Sequence, residues 1–123
     1  MAIAVEGFGV YSFGTRTPLG SSISDYLNDQ VSARDNLLYR IETNALQDAA
    51  VLEYLRGKFG NLGLTEDNCA ARTSNALARA GIKGSSRPLP FAIGTELDSN
   101  PLATATFIPQ GGVLPVWVDV FNP

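Results

Sequence analysis

The stretch from Cys69 to Gly81 constrains the fold more than any other part of the chain. Thr73, Ala76, Leu77 and Ala80 recur at helical spacing and predict one buried face. Asp67 or Asn68 is placed to cap the helix, and Gly81 to stop it. All but Leu77 are small on that face, so the helix can lie close against a sheet.

The flanking elements follow from their own periodicity. Ala2–Val5 and Val10–Gly14 are short apolar runs around the Glu6–Gly9 turn, which predicts a β-hairpin. Ser21 or Ser22 can cap a helix running through Arg34, with Ile23, Tyr26, Leu27 and Val31 on one face. Asn36–Glu42 alternates as a strand. Thr43 is read as the cap of a second helix with Leu46, Ala50, Val51, Tyr54 and Leu55 as its apolar stripe, ended at Gly57 or Gly60. Lys83–Pro90 reads as a loop. The tail holds two extended stretches, Leu102–Ile108 and Val113–Phe121, the second opening at an edge because of Pro115. The sum is an α+β domain of three helices packed on a small antiparallel sheet.

At 123 residues the chain is expected to be a single domain, residues 1–123, able to bury a core without disulfides or metal. No apolar run reaches the roughly 18 residues of a membrane span, and no basic-then-apolar leader opens the chain. A net charge of −3 gives no reason to expect nucleic acid as a partner. Charge is uneven, however. Residues 68–87 carry Arg72, Arg79, Lys83 and Arg87 and no acid, either as solvated surface or as a basic lip facing an acidic partner.

Chemistry narrows to Cys69, the only cysteine in a chain without histidine. A thiol at a helix N-terminus meets the positive end of the macrodipole and unpaired N–H groups, a setting that suits a nucleophile. The Cys69 backbone N–H could also stabilise an oxyanion. Equally, a free cysteine is often an inert core residue. A cysteine hydrolase needs a base for the thiol and an acid for the leaving group, and histidine ordinarily serves as both. Its absence also excludes a serine triad of the usual kind. One cysteine without histidine offers a metal little but carboxylates, and no cofactor is expected. No glycine-rich stretch matches a phosphate-binding pattern.

Asn68-Cys69-Ala70-Ala71-Arg72-Thr73-Ser74-Asn75-Ala76-Leu77, followed by Ala80-Gly81-Ile82, resembles the cysteine helix of papain-like, NlpC/P60-type amidases and peptidases. It is most similar to those of bacterial toxin domains, namely type VI secretion amidase effectors and the C-terminal domains of Rhs-type polymorphic toxins. Asp25-Tyr26-Leu27, Gln30, Arg34, Thr43, Gln47-Asp48, Tyr54-Leu55 and the opening Val10–Gly14 extend the resemblance over roughly residues 2–82. It implies a papain-like fold of permuted type, in which the histidine strand precedes the cysteine helix. By that register Ala2–Gly7 is the histidine strand, and the histidine itself falls at or just before Met1. The expectation is therefore a piece of a longer protein, or an inactive homologue.

The resemblance further implies Cys69 as nucleophile of amide-bond hydrolysis in peptidoglycan or protein. Deamidation or acyl transfer would use the same residues. It also implies delivery by a specialised secretion system into a target bacterium, and an immunity protein as partner. Tyr11 and Thr15, on the face shared with the histidine position, are candidate orienting groups, against simple strand packing. Asn68 is a helix cap or a chemical participant. Arg72 either binds a substrate carboxylate or pairs with Glu66 or Asp67. A non-catalytic binding module on the same fold, or an immunity or adaptor protein, are the alternative readings.

Overall fold

The computed structural model describes residues 1–57, 69–82 and 90–123. The architecture is α+β. Its elements in chain order are β1 (Ile3–Val5), β2 (Gly9–Tyr11), α1 (Ile23–Ala33), β3 (Asn36–Ile41), α2 (Ala45–Leu55), α3 (Cys69–Arg79), α4 (Pro90–Asp98), β4 (Ala103–Ile108) and a 3₁₀ helix (Val116–Phe121). The expected single sheet is instead two separate antiparallel pairs, β1–β2 and β3–β4.

The hairpin forms as its residues dictate. Ile3 pairs with Tyr11 and Val5 with Gly9, and Phe8 N–H donates to the Val5 carbonyl at 2.9 Å. Gly9 is required twice over. Its φ is +82°, and a Cβ there would meet the Gly20 and Ser21 carbonyl oxygens at 2.5 Å. Those oxygens belong to the segment that bridges Val10 to Ser21 and extends the hairpin.

Of the two candidate caps for α1, Ser22 is the one used, and its side chain accepts from Asp25 N–H at 3.2 Å. The cap of α2 is Asn44 rather than Thr43. Asn44 and Gln47 form a reciprocal capping box, while the Thr43 hydroxyl turns to the Asp48 carboxylate. An amide at Asn44 satisfies the N3 donor directly, so the helix begins one residue later than the hydroxyl suggested. Helix α3 ends as expected. Gly81 adopts φ +70°, Gly81 N–H donates to Ala78 and Ile82 N–H to Leu77, a Schellman closure with Ile82 and Leu77 packed in one cluster.

Helix α4 lies where no element was expected. Ile93 and Leu97, one turn apart, are 2% and 5% exposed and supply its apolar stripe. Pro90 at the first helical position has no N–H to leave unpaired. Gly94, which breaks the propensity, leaves the helix close to Tyr39: the Tyr39 hydroxyl oxygen lies 3.4 Å from its carbonyl oxygen, and a Cβ at Gly94 would meet that hydroxyl at 3.5 Å.

The second tail stretch is also different from expectation. Residues 116–121 coil into the 3₁₀ helix instead of a strand. Tertiary bonds decide this. Ser24 Oγ donates to Asp119 at 2.8 Å, and Asn122 Oδ1 accepts from Ser22 Oγ and Ser24 N–H, both at 3.2 Å. The C-terminal segment thus docks on the first turn of α1, and Gly7 N–H donates to Val120 O at 2.9 Å across the hairpin turn.

Two apolar clusters meet at α3. One gathers Val5, Tyr11, Phe13, Val51, Leu52, Leu55 and Ala76 between the hairpin, α2 and α3. The other gathers Ala70, Leu77, Ile93 and Leu97 between α3 and α4, with Tyr39 and Ile41 of β3 against it. Ala76, with 0% exposure, shows how closely the small residues of α3 let its neighbours approach.

Candidate functional site

Cys69 is the first residue of α3, is partly buried, and packs against the cluster formed with the hairpin. The pairing that holds β1 there carries the start of the chain across the helix end. The Met1 α-amino nitrogen donates to Cys69 Sγ at 3.6 Å. Ile3, two residues on, touches both apolar clusters and fixes the strand over α3.

One turn beyond Cys69 lies Thr73, 5% exposed, and its hydroxyl has no hydrogen-bond partner. Thr73 and Met1 both line a cleft of about 1050 Å³ between the hairpin and β3. The sequence placed Thr73 on the buried face of its helix but gave no sign that its hydroxyl would meet a cavity.

The remaining candidate residues are dispersed. Arg72 is 4% exposed, and its guanidinium lies 4.7 Å from the centre of the Phe13 ring; Lys83 and Arg87, the other end of the basic stretch, lie outside the described residues. Arg79 stacks over Tyr54 at 5.6 Å. Tyr11 is buried, and its hydroxyl accepts from Arg56 Nε at 3.1 Å at the C-terminal end of α2. That end of Tyr11 opens on a second, smaller pocket of about 490 Å³ beside Gly57 and Pro123. Thr15 is exposed and closes a local turn: its hydroxyl donates to the Ser12 carbonyl at 3.1 Å and accepts from Thr17 N–H at 3.3 Å. Asn68, Glu66 and Asp67, the cap and the alternative partners of Arg72, lie outside the described residues.

Among the described residues no group of three or more cysteine, aspartate or glutamate side chains converges to hold a metal ion. No described helix is long and apolar enough to cross a membrane. What the site offers chemically is a thiol at a helix start, the Met1 nitrogen beside it, and a cleft lined by both apolar and charged side chains, with the Thr73 hydroxyl in its wall. Comparison with protein-family models, with curated proteins and with solved structures finds no match to this chain.

Proposed function

We propose that Cys69 is the nucleophile of a papain-like cysteine hydrolase of the bacterial toxin kind, acting on an amide bond in peptidoglycan or protein. Its general base is a histidine supplied at the N-terminal end of β1. One observation carries this reading: the Met1 α-amino nitrogen, two residues ahead of β1, lies 3.6 Å from Cys69 Sγ. A side chain at that end of the strand is within reach of the thiol, where the permuted arrangement requires the imidazole. In the reaction the imidazole takes the thiol proton, the thiolate adds to the amide carbonyl, and the imidazolium returns the proton to the departing amine. Water then hydrolyses the thioester, releasing the acid and the free thiol. The Cys69 N–H is the natural donor to the oxyanion. The toxin is delivered by a specialised secretion system and restrained by an immunity protein.

The test is a chain extended by Gly-His ahead of Met1, and a second carrying Met1→His, each expressed in the bacterial periplasm and cytoplasm. Growth inhibition that disappears with Cys69→Ala is the expected outcome. Indifference of both extended forms to Cys69 would overturn the proposal. The competing reading, a non-catalytic module, draws on the packing of Cys69 against the core cluster. It predicts that iodoacetamide labels Cys69 only after denaturation.

A further inference from the structure

The cleft beside α3 has an unusual border. Every residue from 1 to 6 and from 37 to 43 lines it, whereas β2 contributes none and β4 only Thr104. One face of a pleated strand would contribute alternate residues. Consecutive residues mean that the edges of β1 and β3 border the cleft, each with its unpaired N–H and C=O groups. β1 pairs only with β2 and β3 only with β4, so both edges are free among the described residues. Free edges are ready templates for another strand.

Three further features describe what would fill the gap. No residue of β3 is fully buried, although Leu38, Tyr39 and Ile41 are half-covered, so the strand lacks part of its packing. The floor holds Leu77, Ile93 and the unpartnered Thr73 hydroxyl. The acids Glu6, Glu42, Asp48 and Asp98 line the cleft, against Arg40 and the Met1 amine. Arg40 is already stacked on the Trp117 ring at 5.1 Å, and the amine is directed at Cys69.

We propose that this cleft binds an extended polypeptide segment of a partner protein, with alternating apolar and basic residues, inserted as a strand between β1 and β3. The insertion joins the two separate pairs into one five-stranded sheet. Main-chain bonds to both edges supply affinity, and the alternating side chains supply selectivity: apolar ones toward the floor, Lys or Arg toward the acids. This binding does not depend on the hydrolase reading, since it uses no chemistry at Cys69.

The probe is an acetylated, amidated octapeptide of alternating Lys and Val, titrated into the protein. Trp117, the only tryptophan and itself in the cleft, reports binding by fluorescence. Amide hydrogen exchange reports the edges. The expected result is saturable binding, with new protection in both 3–5 and 37–41. The Glu–Val analogue should bind at least about tenfold more weakly, and the double variant Glu6→Lys, Glu42→Lys should lose about tenfold in affinity for the Lys–Val peptide. A peptide N-methylated at alternate residues should fail to protect both edges together. No binding at millimolar peptide, protection of a single edge, or equal binding of the N-methylated or acidic peptides would overturn the proposal. So would protection that rises with protein concentration without peptide, which would make the occupant a second copy.

Discussion

Met1 and Cys69 are separated by 68 residues, yet the α-amino nitrogen of one lies 3.6 Å from the sulfur of the other. β1 is held to β2 with Ile3 opposite Tyr11, and Ile3 packs against both apolar clusters that share α3, which brings Met1 to the helix start. If this contact marks a reactive site, Cys69 in the folded protein should be alkylated by iodoacetamide at neutral pH within minutes. A bulky residue appended before Met1 should slow that labelling several-fold without changing the denaturation midpoint. Mass spectrometry of timed quenches reads both. Labelling only in denaturant would place Cys69 among inert core cysteines.

Two glycines of the hairpin separate conformational strain from steric collision. Gly7 has φ +77° and open space around its Cα, whereas Gly9 has φ +82° and two carbonyl oxygens where a Cβ would sit. Gly7→Ala should cost about 1 kcal/mol, the ordinary penalty for a left-handed residue. Gly9→Ala should cost about 3 kcal/mol or more, since the bridge to Ser21 must also move. Urea denaturation of the two variants gives the comparison directly.

Arg72 is buried with its guanidinium over the Phe13 ring. Arg72→Ala should destabilise the protein by about 2–4 kcal/mol, through lost packing and the lost ring contact. Arg72→Met, which keeps the stem but not the charge, should recover part of that loss. If Arg72→Ala instead left the denaturation midpoint unchanged, its interior role would be refuted.

Tyr39 gives the fold a pH dependence at the alkaline end. Its hydroxyl donates to Asp98 Oδ1 at 2.7 Å. That hydrogen bond, then burial, then the Asp98 charge hold its ionisation above the usual 10.0. A group that keeps its proton more tightly when folded contributes stability that is complete below the unfolded value. That stability is lost as pH rises through the folded one. Stability should therefore fall above about pH 10, and Asp98→Ala should flatten that fall. Ultraviolet titration of the four tyrosines, with and without the substitution, identifies the late one.

The capping box at Asn44 and Gln47 offers a smaller and cleaner test. Asn44→Ala should cost about 1 kcal/mol, and Thr43→Ala less, since Thr43 is not the cap.

Much of the secondary structure was legible in the residues. Ser22, Gly81 and the strand alternation at 36–41 act through local backbone chemistry, which any sequence window contains. The misses share one cause. Among the described side chains of helix α4 Ile93 and Leu97 are the buried ones, and Gly94 lies between them, so its pattern is weak to read locally; the helix is completed by packing on α3 and Tyr39. Val116–Phe121 is rich in β-branched residues, yet bonds from α1 to Asp119 and Asn122 hold it as a 3₁₀ helix. At the candidate site the sequence nominated Cys69 and the strand that approaches it. It also nominated Arg72, Tyr11 and Thr15, which the fold sends to a ring, to Arg56 and to a surface turn.

What the sequence by itself determined is the helix that starts at Cys69, its small-residue face, its glycine stop and the hairpin before it. These follow from spacing, side-chain volume and the conformational freedom of glycine, all local quantities. Only the tertiary structure decided that the sheet is split in two, that a cleft separates the halves, and that an unsatisfied Thr73 hydroxyl lines it. The reason is physical: strand edges and cavities arise from how elements far apart in the chain meet, and periodicity carries no record of which edge is left unpaired.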